Sequence, residues 1–344
     1  MRVLQDQSQN LQFEYTDPQT EFEALIGGHF SINAFGVIEP GDDIKFRDFL
    51  ERSSPPPRTT VYIDSLGGDV DAAIGIGRLI RGAWMHTAIG NYVLRGRKEF
   101  VTERDHLPGR CMSAATLIYL GGRLRYFNAE AQFGVHQFSF RNPSPDDLGR
   151  SQVLSAKIAL YVFEMGVSPE FLELSSSVLS SQIKLVDEVS LRRLKVVTGG
   201  ETDVTWSVQA RAGGLYVRGE RDSLYGHHKV MLHYRKDSGF LFHAVIEAQG
   251  RERELTTFPL VEIVVNGEDT RIDISQRALR ERVGIYINVM SSLSQLEARM
   301  LAYSNSFGVQ VRASSEAPVF LGIAAISTEG GKEQLAAFFE TLSK

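Results

Sequence analysis

The chain of 344 residues predicts a mixed α/β domain followed by a β-rich region. Two observations carry this. Up to about residue 199, strand-like runs close in glycine-rich or small-residue turns that open onto stretches with helical apolar spacing, which is the alternation of an α/β domain. After Gly199-Gly200 that spacing stops and segments of alternating apolar and polar residues take over. The expected organisation is a polar N-terminal arm at 1–24, the α/β domain at 25–199, and a β-rich domain at 200–344 that ends in a helix.

The elements follow in order. Residues 30–38 alternate as a strand, and residues 43–52 place Ile44, Phe46, Phe49 and Leu50 near helical spacing until Ser54-Pro55-Pro56-Pro57 stops the helix. Val61-Tyr62-Ile63-Asp64-Ser65 reads as a strand ending in Leu66-Gly67-Gly68-Asp69. The helix that follows, 72–83, sets Ile74, Leu79 and Ile80 among small residues, which suits close packing on a sheet. Residues 87–90 are a further strand, the charged stretch 95–110 an exposed excursion, and a helix starts near Ser113. A strand around Arg125 leads through a turn at Asn128 to the strand carrying His136. Residues 149–165 then form a helix with Val153, Leu154, Ile158, Val162 and Phe163 as its apolar face. Beyond 200, strands are expected at 205–209, 229–234, 240–246, 260–265, 283–290, 296–303, 309–313 and 319–327. Residues 332–342 close the chain as a helix with Leu335, Phe338, Phe339 and Leu342 on one face.

Composition bounds the function classes. With 43% hydrophobic, 10% aromatic and 23% charged residues the chain can bury a core without covalent staples. A net charge of -5 gives no basic footprint for phosphate backbones, so nucleic acid is not an expected partner. The single cysteine, Cys111, excludes a disulfide within the chain. The first ten residues lack an apolar signal core, and no run of about 18 apolar residues could span a bilayer. As written the chain is expected to be soluble and cytoplasmic, and periplasmic if a leader peptide was removed.

Three groups could carry chemistry together. Ser113 lies in Gly109-Arg110-Cys111-Met112-Ser113-Ala114-Ala115 at a strand-to-helix corner, and His136 in Phe133-Gly134-Val135-His136-Gln137. A serine hydroxyl needs a base within reach to become a nucleophile, and imidazole is suited to that near neutral pH. Gly67 and Gly68 allow close backbone approach to an acyl carbonyl, and the Gly68 and Ala114 amides could hold an oxyanion, a contribution of about 3–4 kcal/mol per donor. Each has a plainer reading alone. Ser113 could cap a helix, His136 could be a half-buried structural histidine, and Gly67-Gly68 only a tight turn.

The ordered set resembles the Clp protease proteolytic-subunit family of the Clp/crotonase superfamily, over roughly residues 30–198. In that family a strand and a Ser-Pro-Gly-Gly-like turn precede a helix, as in Asp64-Ser65-Leu66-Gly67-Gly68-Asp69, with Leu66 where proline is usual. The nucleophile segment resembles Met112-Ser113-Ala114-Ala115 and the base segment Val135-His136-Gln137. The chain is closer still to bacterial Clp-like proteins of unassigned function, many predicted to be periplasmic, which carry Gly-Gly, Cys-x-Ser-Ala and Gly-Val-His-Gln in succession. The resemblance implies a Clp/crotonase-like spiral of β-β-α units, a serine peptidase that acts on peptide or protein substrates without a cofactor, and a homo-oligomer.

The acid departs from the pattern. The family's Asp falls in a loop resembling 177–185, where this chain has no carboxylate; Asp187 lies just beyond, at a helix start. Asp187 is the acid candidate for a triad, with Ser181, Gln182 or a bare dyad as alternatives. A hydrolase therefore stands beside a catalytically retired binding or assembly module and a crotonase-like enzyme acting on acyl-thioesters. Cys111 is expected to be a small buried hydrophobe, and Asp69 and Asp71 helix-start charges. His227, His228, His233 and His243 are expected as exposed strand residues and no metal site is expected among them, because strand alternation splits them between faces and no cysteine joins them. Trp206, Tyr216, Tyr225, Tyr234 and Phe240 suit a β-sandwich core.

Overall fold

The computed structural model describes residues 10–25, 30–97, 100–139, 147–211 and 214–343. The chain divides into two compact units, Met1–Gly200 and Glu201–Lys344. The first contains β1 (Gln12–Thr16), α1 (Glu21–Leu25), β2 (Ser31–Phe35), α2 (Asp42–Ser53), β3 (Thr60–Asp64), α3 (Val70–Gly82), β4 (His86–Ile89), β5 (Asn91–Arg97), β6 (Thr102–Leu107), β7 (Arg110–Met112), α4 (Ala115–Leu120), β8 (Arg125–Tyr126), β9 (Gln132–Val135), α5 (Asp147–Glu164), α6 (Glu170–Ser176), β10 (Lys184–Leu185) and α7 (Glu188–Arg193).

The main sheet runs β1-β2-β3-β4-β8, parallel from β2 onward with β1 antiparallel at its edge. Ile32, Ala34, Val61 and Ile63 point from it into a core shared with Ile76 and Ile80 of α3 and Ile118 and Tyr119 of α4. A second sheet, β10-β9-β7, is reached from the end of β3. Ser65 donates its N–H to the Arg110 carbonyl at 2.7 Å and accepts from the Met112 amide at 3.0 Å, so one strand end feeds both sheets.

Two expectations are corrected here. Residues 12–16 are no free arm: polar composition hides the alternation of Phe13 and Tyr15, and Phe13 packs its ring 4.8 Å from Phe46 of α2. Of that arm, residues 1–9 lie outside the described residues. The charged stretch from 95 is a paired hairpin of β5 and β6, anchored to α1 where Arg104 clamps both oxygens of buried Glu23 at 2.6 and 2.8 Å.

The second unit contains β11 (Thr205–Arg211), β12 (Gly214–Ser223), β13 (Gly226–Arg235), β14 (Gly239–Glu247), α8 (Glu252–Thr257), β15 (Leu260–Val265), β16 (Thr270–Asp273), β17 (Leu279–Val283), β18 (Tyr286–Ser292), α9 (Gln295–Ala302), β19 (Ser306–Arg312), β20 (Leu321–Ser327) and α10 (Lys332–Leu342). A six-stranded antiparallel sheet, β11-β12-β13-β14-β18-β17, and a four-stranded one, β16-β15-β19-β20, share a core that includes Leu232, Phe242, Val289, Ile263 and Phe307. The strand expected at 296–303 is instead helix α9. Ser294 and Glu297 form a reciprocal capping box at its start, and Ala298, Leu301 and Ala302 bury one helical face. The histidines are less exposed than expected: His227 and His228 are buried and His233 and His243 half-buried, because neighbouring strands flank them. Among the described residues no helix is long and apolar enough to cross a membrane.

Helices α3 and α4 touch through glycine. A Cβ on Gly121 would lie 2.3 Å from the Gly77 carbonyl oxygen, and one on Gly77 would lie 1.8 Å from the Tyr161 hydroxyl, which donates to the Leu117 carbonyl at 2.7 Å. Gly77→Ala should therefore destabilise the protein by about 1–3 kcal/mol in urea unfolding, overpacking outweighing a helix-propensity gain of about 1 kcal/mol. A neutral or stabilising result would contradict this packing.

Candidate active site

The parallel pairing of β7 with β9 sets Arg110 opposite Gln132, Cys111 opposite Phe133 and Met112 opposite Gly134. Ser113 prolongs it by donating its N–H to the Gly134 carbonyl at 2.9 Å. Ser113 and His136 thus leave the ends of two adjacent strands, which lie about 4.8 Å apart. Both line one cavity of about 270 Å³, together with Ala114 and Leu117 of the α4 region, Ile158 and Ala159 of α5, and Phe171 and Leu172 of α6.

Ser113 has φ 54°, a left-handed conformation that a residue with a Cβ rarely adopts. The helix-cap reading fails, since the residue capping α4 is Ala114 and no side chain caps that helix. The Ser113 carbonyl is held by Thr116, whose N–H and hydroxyl both donate to it at 3.0 and 2.6 Å. That fixes the corner and leaves the hydroxyl to the cavity.

The glycine turn lies against the corner. A Cβ on Gly67 (φ 103°) would fall 2.8 Å from the Ser113 Cβ and 3.0 Å from the Ala114 nitrogen, so only glycine allows this approach. Gly68 (φ 142°) is equally restricted, because a Cβ there would fall 2.1 Å from the Ile38 carbonyl oxygen. Around Gly68 the backbone bonds run from the Ile38 amide to the Gly67 carbonyl and from the Asp69 amide to the Ile38 carbonyl. Among the described residues, the Gly68 and Ala114 amides have no acceptor in the chain. Ala114 lines the cavity with Ser113, while Gly67 and Gly68 are not among its lining residues.

His136 is half-buried, and its Nδ1 lies 2.8 Å from the carbonyl oxygen of Gln137. A carbonyl only accepts, so Nδ1 carries the proton and Nε2 presents its lone pair. The Gln137 amide donates in turn to the Val178 carbonyl at 2.9 Å, fixing this peptide to the loop after α6. Asp187 is not the orienting acid. Its two oxygens accept from the Ser190 amide at 2.9 Å and the Ser190 hydroxyl at 2.8 Å, which cap α7 and hold its exposed carboxyl below the usual range. The sequence could not have shown the true partner of Nδ1, since a main-chain carbonyl has no residue signature.

The other candidates fall to plainer roles. Cys111 is fully buried, and burial, with the nearby Asp64 charge, pushes its thiol well above the usual value, away from the reactive thiolate. Asp69 caps α3 by accepting from the Ala72 amide at 2.8 Å, and Asp71 pairs with Lys157 at 2.9 Å. Phe138, Ser155, Ser175 and Ser176 line the cavity without having been anticipated; they come from helix faces and a strand end that carry no motif.

No protein-family model matches the chain, and no curated protein matches it. The chain is similar to two solved structures of ClpP1 from Listeria monocytogenes, one of them a point mutant. The identity is 17% in both, with TM-scores of 0.35 and 0.34, over 48% of this chain and 88% of theirs.

If the Gln137 carbonyl alone orients His136, Asp187→Asn should change turnover or acylation rate by no more than about threefold, where loss of a true triad acid costs about 10⁴-fold. A collapse of that size in a folded variant would restore Asp187 to the site.

Proposed function

We propose that the first unit is a serine-type hydrolase, a peptidase of Clp type, working through a Ser113 acyl-enzyme. The observation that carries the reading is that Ser113 and His136 open into one cavity from adjacent strand ends, with His136 Nδ1 tied to a carbonyl. In the first step His136 Nε2 takes the Ser113 proton as Oγ attacks the acyl carbon. The carbonyl oxygen becomes an oxyanion that accepts from the Gly68 and Ala114 amides. Collapse of the intermediate expels the amine or alcohol, which takes the proton from the imidazolium, and water repeats the sequence to release the acid.

The walls of Leu117, Ile158, Phe171 and Leu172 suit an apolar group on the acyl side, and the chemistry needs no cofactor. A homo-oligomer belongs to the same reading. Helix α5 leaves Val153, Leu160 and Phe163 exposed along one stripe, a surface that a second copy would cover. Among the described residues no carboxylate is bonded to His136, which favours one competing reading, a retired site that binds without turnover.

A fluorophosphonate probe separates them. The wild-type protein should gain one probe mass, Ser113→Ala should gain none, and His136→Ala should label at least 100-fold more slowly with an unchanged circular dichroism spectrum. Failure of the wild-type protein to label, or labelling of Ser113→Ala at the wild-type rate, would overturn the hydrolase.

A further inference from the structure

The six-stranded sheet of the second unit carries a cluster that the proposed hydrolysis does not use. On β13, Val230 and Leu232 enter the core, so Met231 and His233 share the opposite face; on β14 His243 does so between Phe242 and Ala244, and on β18 Asn288 and Met290 alternate with Ile287 and Val289. The register sets Met231 directly opposite His243, and His243 directly opposite Met290. His243 therefore sits between two thioethers, whose Cβ atoms are about 5 Å from its own.

The two imidazoles are already in contact. His243 Nδ1 is 3.3 Å from His233 Nε2, and His243 Nε2 is 2.8 Å from the Asn288 side-chain oxygen. That oxygen accepts, so Nε2 of His243 is protonated and its Nδ1 lone pair faces His233. Tyr216 stacks on His233 at 4.8 Å and steadies the second ring. Two ligands on a tetrahedral ion with bonds of about 2.0–2.1 Å lie about 3.3 Å apart, which is the separation found here. Burial lowers the pKa of both imidazoles, that of His233 to about 4, so both are neutral at pH 7. In the hydrogen bond of that pair His233 Nε2 is the donor, so metal binding requires His233 to carry its proton on Nδ1 instead.

We propose that Met231, His233, His243 and Met290 form a binding site for the cuprous ion, with Asn288 fixing the tautomer of His243. The donor set decides the ion. Two thioethers and two neutral imidazoles are soft and uncharged, a set that selects Cu(I) over hard divalent cations. Arg218 lies opposite Met231 on β12, where Glu220 pairs with it at 2.9 Å. Among the described residues no three of His, Cys, Asp and Glu form a metal cluster, and here the remaining donors are methionine sulfurs. The site is independent of Ser113 and of any hydrolysis.

The test is an anaerobic titration of the full chain with Cu(I) against a bathocuproine disulfonate competitor, followed by X-ray absorption of the loaded protein. One equivalent should be withheld from the chelator, with both nitrogen and sulfur scatterers around copper. Met231→Leu and Met290→Leu conserve volume and should keep the fold while each weakens binding at least tenfold. His243→Gln should abolish binding, and Asn288→Leu should weaken it about 10- to 100-fold, as loss of a partner that orients a metal ligand does. The site is refuted if wild-type protein withholds no copper, if the double Met→Leu variant withholds it as tightly as wild type, or if the copper shell contains no sulfur.

Discussion

Everything at the candidate active site depends on the short parallel pairing of β7 and β9 and on its last bond, from the Ser113 amide to the Gly134 carbonyl. That pairing puts a hydroxyl and an imidazole, 23 positions apart in sequence, at neighbouring strand ends. It also turns the chain sharply at Ser113, so that the Ala114 amide leaves the ladder without an acceptor. A slip of one residue would send every side chain of β9 to the opposite face and dissolve the site.

The corner is held under strain that its surroundings impose. A left-handed serine costs about 1–3 kcal/mol, and such a conformation persists only where neighbouring contacts over-determine it. Here the contacts can be named: Thr116 holds the Ser113 carbonyl, Gly67 fills the space against its Cβ, and the bridge from Ser65 to β7 fixes the strand before it. The imidazole is secured differently: its Nδ1–H donates to the Gln137 carbonyl, and the Gln137 amide donates to the Val178 carbonyl. A carbonyl dipole fixes the tautomer as a carboxylate would, but it offers less to the imidazolium formed during the reaction. On the proposed reading, the site would be a Ser–His dyad whose rate rests on the Gly68 and Ala114 amides more than on a counter-charge.

Much of this was legible in the residues. The strand–glycine turn–helix unit from Val61, the corner at Ser113 and the strand carrying His136 follow from apolar spacing and from the conformations that glycine permits. What the sequence concealed has physical reasons. Asp187 was attractive as the nearest carboxylate, yet its spacing to Ser190 is that of a helix cap, and the cap claims both oxygens. The strand β1 was hidden because three of its five residues are polar, and α9 because Leu296 to Tyr303 is apolar enough to suit either state until Ser294 and Glu297 cap it. Pairing across strands is the least legible of all, and it alone reveals that His243 lies between Met231 and Met290.

The most direct measurement of the central claim is a crystal structure of the phosphonylated protein. Phosphorus should be bonded to Ser113 Oγ, with its free oxygen within about 3.1 Å of the Gly68 and Ala114 nitrogens and His136 Nε2 facing the adduct. Phosphorus on another side chain, or a free oxygen turned to solvent with both amides unengaged, would contradict the account.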